Sequence, residues 1–386
     1  MPSEASVQRQ AKIKVLGVGG AGMNAVHRMM ESGVQGVDFV VLNTDQQVMQ
    51  LSTVEEDKKI VLGKQLTKGL GAGGDPVIGK KAAEDSRDEI IKLLQADDGT
   101  DMVFITAGMG GGTGTGAAPV VASISRQLGI LTVGVVTKPF LWEGGQRAAK
   151  AEAGIKVLKE NVDTLITIPN SRLSEVCDKK ITLKNAFQIA DDTLKNGVQG
   201  ISDIIVVAGL MNVDFADVQS IMKNKGSALM GIGVASGENR AKTAAEGACR
   251  SKLLDTSIDN ATGVLVNITA SEDFELQEIN DAMSVIHAAA DAGNSNAEVI
   301  LGVVFDNSLE DEIKITVIAT GFDQAPSSFV KPPVTVQKPK TQPAPAPKTE
   351  AQTPAPAAPA QTAPAKKNFN SPTGNFKVPD FMKDRK

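Results

Sequence analysis

The sequence predicts an α/β fold, because short apolar runs of strand length alternate with longer segments of helical period over most of the chain. The first six apolar runs are residues 13–18, 38–42, 60–62, 102–106, 130–137 and 164–168. Such runs are typical of strands that are buried on both faces of a parallel sheet. Glycine-rich segments directly follow two of the runs, and a proline-rich tail ends the chain. We therefore expect a mostly parallel sheet that is covered by helices on both faces.

Length and composition limit the classes of protein that the chain could represent. Its 386 residues favour two or more domains, and 41% hydrophobic residues are enough for ordinary buried cores. No run approaches about 18 apolar residues and no signal-peptide core is found, so we expect a cytoplasmic protein without a membrane span. The net charge of −5 argues against a general nucleic-acid binder. Cys177 and Cys249 lack metal-ligand spacing and fit unpaired thiols in a reducing compartment.

The stretch Gly110–Gly116 places five glycines and two threonines between an apolar strand and an Ala/Val/Ile-rich helix. Without Cβ atoms, consecutive backbone N–H groups can approach an anion, and the N-terminus of the following helix adds partial positive charge. The hydroxyls of Thr113 and Thr115 offer further donors. No lysine follows the last glycine, so this is not a G-x-x-x-x-G-K-[ST] P-loop. A phosphate-binding loop is preferred here over a flexible turn without a ligand.

A second glycine-rich loop, at residues 17–22, follows the first strand. Taken alone, a strand, a glycine loop and a helix also fit a Rossmann-type NAD or flavin oxidoreductase, with Asp45 after the next strand as a ribose ligand. That hypothesis gives no function to Gly110–Gly116. The presence of both loops favours a nucleotide site of a different kind.

Together these motifs resemble the tubulin/FtsZ superfamily and, within it, the FtsZ cell-division GTPases of bacteria, from about residue 13 to residue 322. The resemblance implies a Rossmann-like parallel-sheet GTP-binding domain, a long central helix and a second, smaller α/β domain. It implies GTP as the substrate and Mg²⁺ as the ion that neutralises its phosphates, with the metal ligands unassigned. The family's nucleotide-binding loops correspond here to Gly20, Ala21, Gly22, Met23, Asn24, Gly110, Gly111, Gly112, Thr113, Gly114, Thr115 and Gly116.

Two further loops match family motifs on the nucleotide side. In the glycine-rich loop of residues 69–76, Gly73 and Gly74 correspond to backbone that senses the terminal phosphate, although an ordinary surface loop would have the same composition. In the second loop, residues 138–147, the resemblance assigns Glu143 to the ribose and Arg147 to the region of ribose and phosphate. These two residues are four apart at a helix start, so an i,i+4 ion pair is the alternative.

A long helix is predicted at residues 182–205, where apolar residues recur every three or four positions and form one buried stripe. Phe187 and Asp191 share a face of this helix. The resemblance implies that the Phe187 ring stacks on guanine and that the Asp191 carboxylate accepts hydrogen bonds from the base. From the residues alone, a core phenylalanine beside a solvated aspartate is the alternative. Trp142, beside Glu143, stands where relatives usually carry phenylalanine.

The predicted catalytic groups are Asn212, Asp214 and Asp217. They resemble the family's N-x-D-x-x-D loop, which reaches into the nucleotide site of the neighbouring subunit. Two carboxylates can orient and polarise the water that attacks a phosphoryl group. A helix N-cap is the alternative for either aspartate and is compatible with catalysis. A site completed by the next subunit makes a heterologous contact, so the resemblance implies a GTP-hydrolysing head-to-tail homopolymer.

Six parts make up the predicted domain organisation. They are a disordered arm (1–11), the GTP-binding domain (12–181), the central helix (182–206), a C-terminal GTPase-activating domain (207–322), a disordered linker (323–368) and an adaptor-binding tail peptide (369–386). Twelve of the 18 prolines lie beyond Lys331, which argues against a packed core there. From Lys331 onward ten Lys and Arg residues stand against three acidic residues, so the tail is basic and the remainder acidic.

The last eleven residues, 376–386, mix apolar with charged side chains and loosely resemble the peptide by which FtsZ proteins bind membrane-tethering and regulatory division proteins. A polar tail with incidental apolar residues is the alternative. The resemblance places the protein in the cytoplasm at the mid-cell division site, as the filament of the septal ring. A tubulin-like structural protein that binds GTP without hydrolysis remains a further hypothesis, and the presence of both Asp214 and Asp217 argues against it.

Overall fold

The computed structural model describes residues 10–96, 99–176, 182–207, 209–251, 258–259, 261–290 and 297–322. Most of the predicted N-terminal arm, the predicted linker and the predicted tail peptide lie outside these residues. Ten strands are found in the described part of the chain. They are β1 (Ile13–Val18), β2 (Val37–Asn43), β3 (Lys59–Val61), β4 (Met102–Gly108), β5 (Leu131–Lys138), β6 (Thr164–Pro169), β7 (Gly226–Ser236), β8 (Gly263–Ala270), β9 (Glu298–Phe305) and β10 (Glu312–Thr320).

Twelve α-helices accompany these strands within the described ranges. They are α1 (Gly19–Glu31), α2 (Gln46–Gln50), α3 (Lys64–Thr67), α4 (Pro76–Asp85), α5 (Arg87–Gln95), α6 (Thr113–Gln127), α7 (Gly145–Asn161), α8 (Asn170–Val176), α9 (Leu183–Val206), α10 (Phe215–Met222), α11 (Arg240–Cys249) and α12 (Leu276–Ala290). None of these helices combines the length and the hydrophobicity that a membrane crossing requires.

The strands form one mixed sheet in the order β3-β2-β1-β4-β5-β6-β7-β10-β8-β9. The first seven strands of this order, from β3 to β7, pair in parallel, whereas β10 pairs antiparallel to both β7 and β8. β6 and β7 pair over only three residues, and through this pairing the sheet continues beyond the predicted GTP-binding domain. The parallel-dominated sheet with helices confirms the predicted α/β fold class.

One predicted helix is interrupted. The periodicity at residues 76–95 predicts a single helix, but the structure has two, with Ser86 between them. The Ser86 hydroxyl accepts a hydrogen bond from the backbone N–H of Gly63 at 3.0 Å, and its backbone leaves the helical conformation. The break thus coincides with a contact to a residue that is distant in sequence.

In chain order, helix α9 lies between the predicted GTP-binding domain and the predicted C-terminal domain. Thr182 caps it by accepting a hydrogen bond from the N–H of Asn185 at 3.3 Å. Its buried stripe, which includes Leu194, Val198 and Ile201, joins one continuous core with side chains of α1 on one side and of β8 and β10 on the other. A helix packed along its length in this way is a rigid spacer, so the positions of its two ends are fixed relative to each other.

Candidate functional site

Two helix N-termini meet where the strand order reverses between β1 and β4. Helix α1 begins at Gly19 and α6 at Thr113, and a Cβ atom on Gly19 would lie only 2.8 Å from the backbone nitrogen of Gly114. No side chain caps either helix, so their first N–H groups are available to a ligand. Open α/β sheets bind ligands at such a reversal, and paired helix N-termini favour an anion.

A cavity of about 250 Å³ opens at this point, and ten of the predicted site residues line it. These ten are Gly20, Ala21, Gly111, Gly112, Thr113, Gly114, Glu143, Arg147, Phe187 and Asp191. Eight further residues that were not predicted from the sequence complete the lining. They are Val18, Gly19, Gly108, Met109, Thr137, Pro139, Asn170 and Ala190.

The stretch Gly110–Gly116 divides into residues that face the cavity and residues that shape the turn. The N–H of Gly110 donates to the hydroxyl of Thr115 at 2.8 Å, and the hydroxyls of Thr113 and Thr44 lie 2.7 Å apart. Both threonine hydroxyls therefore already have a partner inside the protein. A Cβ atom on Gly116 would lie 2.0 Å from the Pro76 carbonyl oxygen, so this glycine permits the contact between α6 and α4.

The first glycine loop divides in the same way. Gly20 and Ala21 line the cavity, whereas the Met23 side chain is fully buried in the core and receives a contact from the Asn43 amide at 3.1 Å. A Cβ atom on Gly22 would lie 2.4 Å from the carbonyl oxygen of Thr106, which makes Gly22 a packing residue between α1 and β4. Asn24 is exposed and does not belong to the cavity lining.

The loop of Gly73 and Gly74 borders the site without lining the cavity. Both glycines are exposed and have positive φ angles of 57° and 73°. The loop touches the glycine stretch at Gly112, where a Cβ atom would lie 2.9 Å from the backbone nitrogen of Asp75. On its other side, the Lys150 ammonium donates to the carbonyl oxygen of Gly74 at 2.6 Å. The loop is thus held between α6 and α7, beside the two helix N-termini.

Glu143 and Arg147 form the i,i+4 ion pair that was the alternative interpretation, and both also line the cavity. The Glu143 carboxylate is buried, with one oxygen 3.1 Å from Arg147 and the other accepting the N–H of Phe140 at 2.8 Å. The Arg147 guanidinium is about half exposed. The carboxylate is therefore committed largely to the protein, while the cation faces the cavity and can attract an anion.

Asp191 and Asn170 bring polar acceptors to the lining of the cavity. Burial raises the pKa of Asp191 to about 7, with its neighbour Asp192 adding to the rise and Arg28 opposing it. Asn170 is buried, and its side-chain amide oxygen (Oδ1) has no hydrogen-bond partner among the described residues. Buried acceptors without a partner are uncommon, so this oxygen is available to accept a hydrogen bond from a ligand in the cavity.

Residues 209–217, called the acidic loop below, lie elsewhere in the same chain. Asn212, Asp214 and Asp217 are exposed, and none of them lines the cavity. Asp214 precedes α10 at its N-cap position without a side-chain capping bond, and Asp217 lies in the first turn of that helix. The side-chain amide oxygen (Oδ1) of Asn212 accepts a hydrogen bond from the backbone N–H of Gly209 at 2.7 Å, which closes a turn in the loop.

Comparisons with known proteins agree with this architecture. The family model "Tubulin/FtsZ family, GTPase domain" matches residues 12–178, and the model "FtsZ family, C-terminal domain" matches residues 226–323. The solved structure "FtsZ dimer, empty" from M. jannaschii is 45% identical, with a TM-score of 0.77, and the match covers 82% of this chain and 90% of that one. The chain belongs to the FtsZ family.

Other solved structures extend the comparison. A substituted variant of the M. jannaschii FtsZ is 46% identical over 81% of this chain and 91% of that one, with a TM-score of 0.76. "CetZ1 from Haloferax volcanii - GDP bound monomer" is 19% identical over 82% of this chain and 96% of that one, and its TM-score of 0.70 shows a shared fold. The predicted family is confirmed. A GTPase domain supports GTP binding and hydrolysis in general, whereas the roles of individual FtsZ residues stay predictions.

Proposed function

We propose that this FtsZ protein binds GTP in the cavity and hydrolyses it only in a head-to-tail filament, where the acidic loop of the next subunit completes the site. One observation carries the proposal. The N–H of Val213 in the acidic loop donates to the carbonyl oxygen of Ile204 at 3.3 Å, near the C-terminus of α9, whereas Asp191 lines the cavity from the first half of that helix. Thirteen residues at 1.5 Å each separate the two points by about 20 Å. This separation supports the proposal that Asp214 acts on the nucleotide of a neighbouring subunit and not on that of its own.

The cavity residues divide naturally between the parts of GTP. The phosphates occupy the uncapped N-termini of α1 and α6, where glycine backbone leaves the N–H groups accessible and the helix dipoles favour negative charge. Arg147 adds a cation on the same side. Asp191 and Asn170 accept hydrogen bonds from the N–H groups of guanine, a pairing that adenine cannot offer at its ring nitrogen. The half-exposed ring of Phe187 stacks on the base.

Hydrolysis uses the acidic loop of the neighbouring subunit. Phosphoryl transfer needs an in-line nucleophile and neutralised charge more than covalent chemistry. Asp214 and Asp217 orient and polarise the attacking water, and Asn212 holds the loop in shape through its bond to Gly209. Loss of the terminal phosphate then removes a partner from the loop of Gly73 and Gly74, which transmits the nucleotide state to the joint.

Mg²⁺ is expected to enter with the phosphates. No group of three or more His, Cys, Asp or Glu side chains suited to a metal is found within the described ranges. Of the two carboxylates that line the cavity, Glu143 is already engaged with Arg147. Mg²⁺ commonly retains several waters and is bound mainly by substrate phosphates, which fits a site without a protein cage. When bound, the ion neutralises phosphate charge.

Exposed apolar side chains near both halves of the site support self-association. Leu70, Leu141 and Trp142 are exposed in loops that border the cavity, and Leu210 and Met211 are exposed in the acidic loop. Contact between two different surfaces of identical subunits propagates an open filament unless its rotation closes a ring. Related proteins have been solved as assemblies, including "FtsZ dimer, empty" from M. jannaschii and "CetZ2 from Haloferax volcanii - GTPgS bound protofilament", the latter at 20% identity over 82% of this chain and 94% of that one, with a TM-score of 0.68.

The cellular role follows from the family. We infer that the filament forms the cell-division ring at mid-cell in the cytoplasm, with residues 12–181 as the GTP-binding domain and residues 207–322 as the domain that activates the next subunit. The sequence is basic from Lys331 onward, and we infer that its terminal peptide, residues 369–386, recruits membrane-tethering and regulatory division proteins.

The proposal is tested by measuring GTP hydrolysis per molecule against protein concentration, with light scattering recorded alongside. A site shared between subunits predicts negligible activity below a critical concentration and a rise that parallels scattering. Asp214→Ala should remove hydrolysis while filaments persist. Activity per molecule that does not change on dilution would show that each subunit contains a complete site, and the filament mechanism would be wrong.

A further inference from the structure

Three aromatic rings form a cluster at the rim of the cavity. The rings of Phe140 and Trp142 stack with centroids 5.7 Å apart. Phe187 meets both of them edge to face, at 5.6 Å from Phe140 and 6.1 Å from Trp142. Only Phe187 belongs to the cavity lining. The other two rings therefore contact the ligand site through Phe187.

Of the three rings, only that of Phe140 is buried, and it fixes the cluster to the protein. Phe140 is buried, and its N–H is held by the Glu143 carboxylate, so the turn that carries Trp142 is fixed to the wall of the cavity. Phe187 lies on α9 and is 43% exposed. Its ring can therefore change rotamer unless a neighbouring side chain restrains it. Trp142 is 62% exposed, so burial of its own surface does not explain its position. The contacts of Trp142 with the other two rings explain its position.

We propose that Trp142 is a positioning residue that holds the Phe187 ring in the orientation in which it stacks on the guanine base, without touching the nucleotide itself. This inference rests on the proposed guanine-nucleotide site. Edge-to-face contacts are directional, because the positive edge of one ring meets the negative face of the other. Removal of the indole leaves Phe187 with one aromatic neighbour instead of two and a wider range of orientations.

The composition of the chain supplies a direct readout. Trp142 is the single tryptophan and the chain contains no tyrosine, so selective excitation of tryptophan reports on this one ring. When guanine stacks on Phe187, the environment of the adjoining indole changes. We expect GDP to alter Trp142 emission in the full-length protein and to leave it nearly unchanged in Phe187→Ala.

The decisive experiment is a double-mutant cycle in GDP affinity, measured by equilibrium dialysis on the full chain. GDP is used so that no hydrolysis intervenes. Trp142→Ala should weaken GDP binding about three- to tenfold, which corresponds to the free energy of one aromatic pair. Trp142→Phe should bind GDP within about twofold of the unsubstituted chain, because it keeps a ring. In a Phe187→Ala background, Trp142→Ala should cause no further loss, since the group through which it acts is gone.

Two controls separate positioning from damage to the fold. Pyrophosphate, which lacks a base, should bind Trp142→Ala and the unsubstituted chain equally, whereas a distorted cavity would weaken both ligands. GDP binding to Trp142→Ala equal to that of the unsubstituted chain, or an undiminished loss in the Phe187→Ala background, would overturn this inference alone. Failure of the unsubstituted chain to bind GDP would overturn the proposed function and this inference with it.

Discussion

The backbone N–H of Gly110 donates a hydrogen bond to the hydroxyl of Thr115 at 2.8 Å. This bond closes the glycine stretch on itself and leaves Gly111 and Gly112 at the cavity, while Gly116 turns towards α4. Glycines of one motif therefore serve different purposes, and substitutions at them should have different consequences.

Alanine substitutions at two glycines of this motif should separate ligand binding from packing. A Cβ atom on Gly111 would have no heavy atom within 4 Å, so Gly111→Ala should leave the free energy of unfolding unchanged. Its methyl group should weaken GDP binding about tenfold by obstructing the N–H groups at the phosphate position. Gly116→Ala, whose Cβ atom would lie 2.0 Å from the Pro76 carbonyl oxygen, should destabilise the fold by about 1–3 kcal/mol.

Thermal unfolding and GDP dialysis on the same two variants check these expectations. The account of the glycine stretch would be wrong if Gly111→Ala unfolded as easily as Gly116→Ala. It would also be wrong if Gly111→Ala bound GDP as tightly as the unsubstituted chain.

The affinity for GDP should depend on pH through Asp191. Burial raises the pKa of this carboxyl to about 7, and only the ionised form accepts hydrogen bonds from both N–H groups of guanine. The dissociation constant should therefore rise about tenfold between about pH 8 and pH 6. Phosphate groups also titrate near pH 6, so the matched control is the same titration on Asp191→Asn. Equal slopes in the two proteins would exclude Asp191 as the titrating group.

Replacement of Asp191 should also change the free energy of unfolding, by an amount that depends on pH. The folded-state pKa lies above the usual value of 3.8, so the folded chain holds a proton that the unfolded chain has lost, and the free energy of unfolding falls as pH rises from about 4 to 7. Without nucleotide, Asp191→Asn should be more stable at about pH 8 by about 1–2 kcal/mol, which allows for screening by solvent in the cavity. Near pH 4 the gain should vanish. A gain in the free energy of unfolding that persists unchanged at pH 4 would show that it does not arise from the raised pKa of Asp191.

Local patterns explain why much of the fold could be predicted. The strand at residues 102–106, the glycines after it and the apolar helix that follows are encoded within about 25 consecutive positions. The interruption at Ser86 could not be predicted in this way, because it coincides with a hydrogen bond from the N–H of Gly63, a residue distant in sequence. Sequence periodicity contains no information about such a long-range contact.

Residue type explained only part of the site. Asn170 follows the last residue of β6 directly, at the carboxyl end of a parallel strand, so the position rule for open α/β sheets could have identified it. Met23 shows the opposite case, since its place in a glycine-loop motif does not reveal that its side chain belongs to the core. Whether Thr115 offers its hydroxyl to a ligand or to Gly110 is decided by the turn geometry.

Variants at Asn212 should distinguish a structural from a chemical role. Its side-chain amide oxygen accepts a hydrogen bond from the N–H of Gly209, so Asn212→Ala should loosen the acidic loop. The variant should lower GTP hydrolysis about five- to tenfold, which corresponds to the free energy of one hydrogen bond, without changing GDP affinity. Asn212→Asp keeps the acceptor and should retain activity within about twofold. If both variants are equally inactive, the amide nitrogen takes part in the reaction and the structural assignment is wrong.

The most direct test of a site shared between subunits is to mix two inactive proteins. Gly111→Asp places a negative charge in the cavity, where the backbone leaves room for a side chain, and should abolish nucleotide binding with the acidic loop intact. Asp214→Ala should bind GTP normally and lack hydrolysis. In an equal mixture, about one joint in four combines the intact cavity of one variant with the intact loop of the other. We predict that the mixture regains GTP hydrolysis to about that fraction. A mixture that stays inactive, with both variants folded and Asp214→Ala binding GTP, would contradict catalysis by the neighbouring subunit.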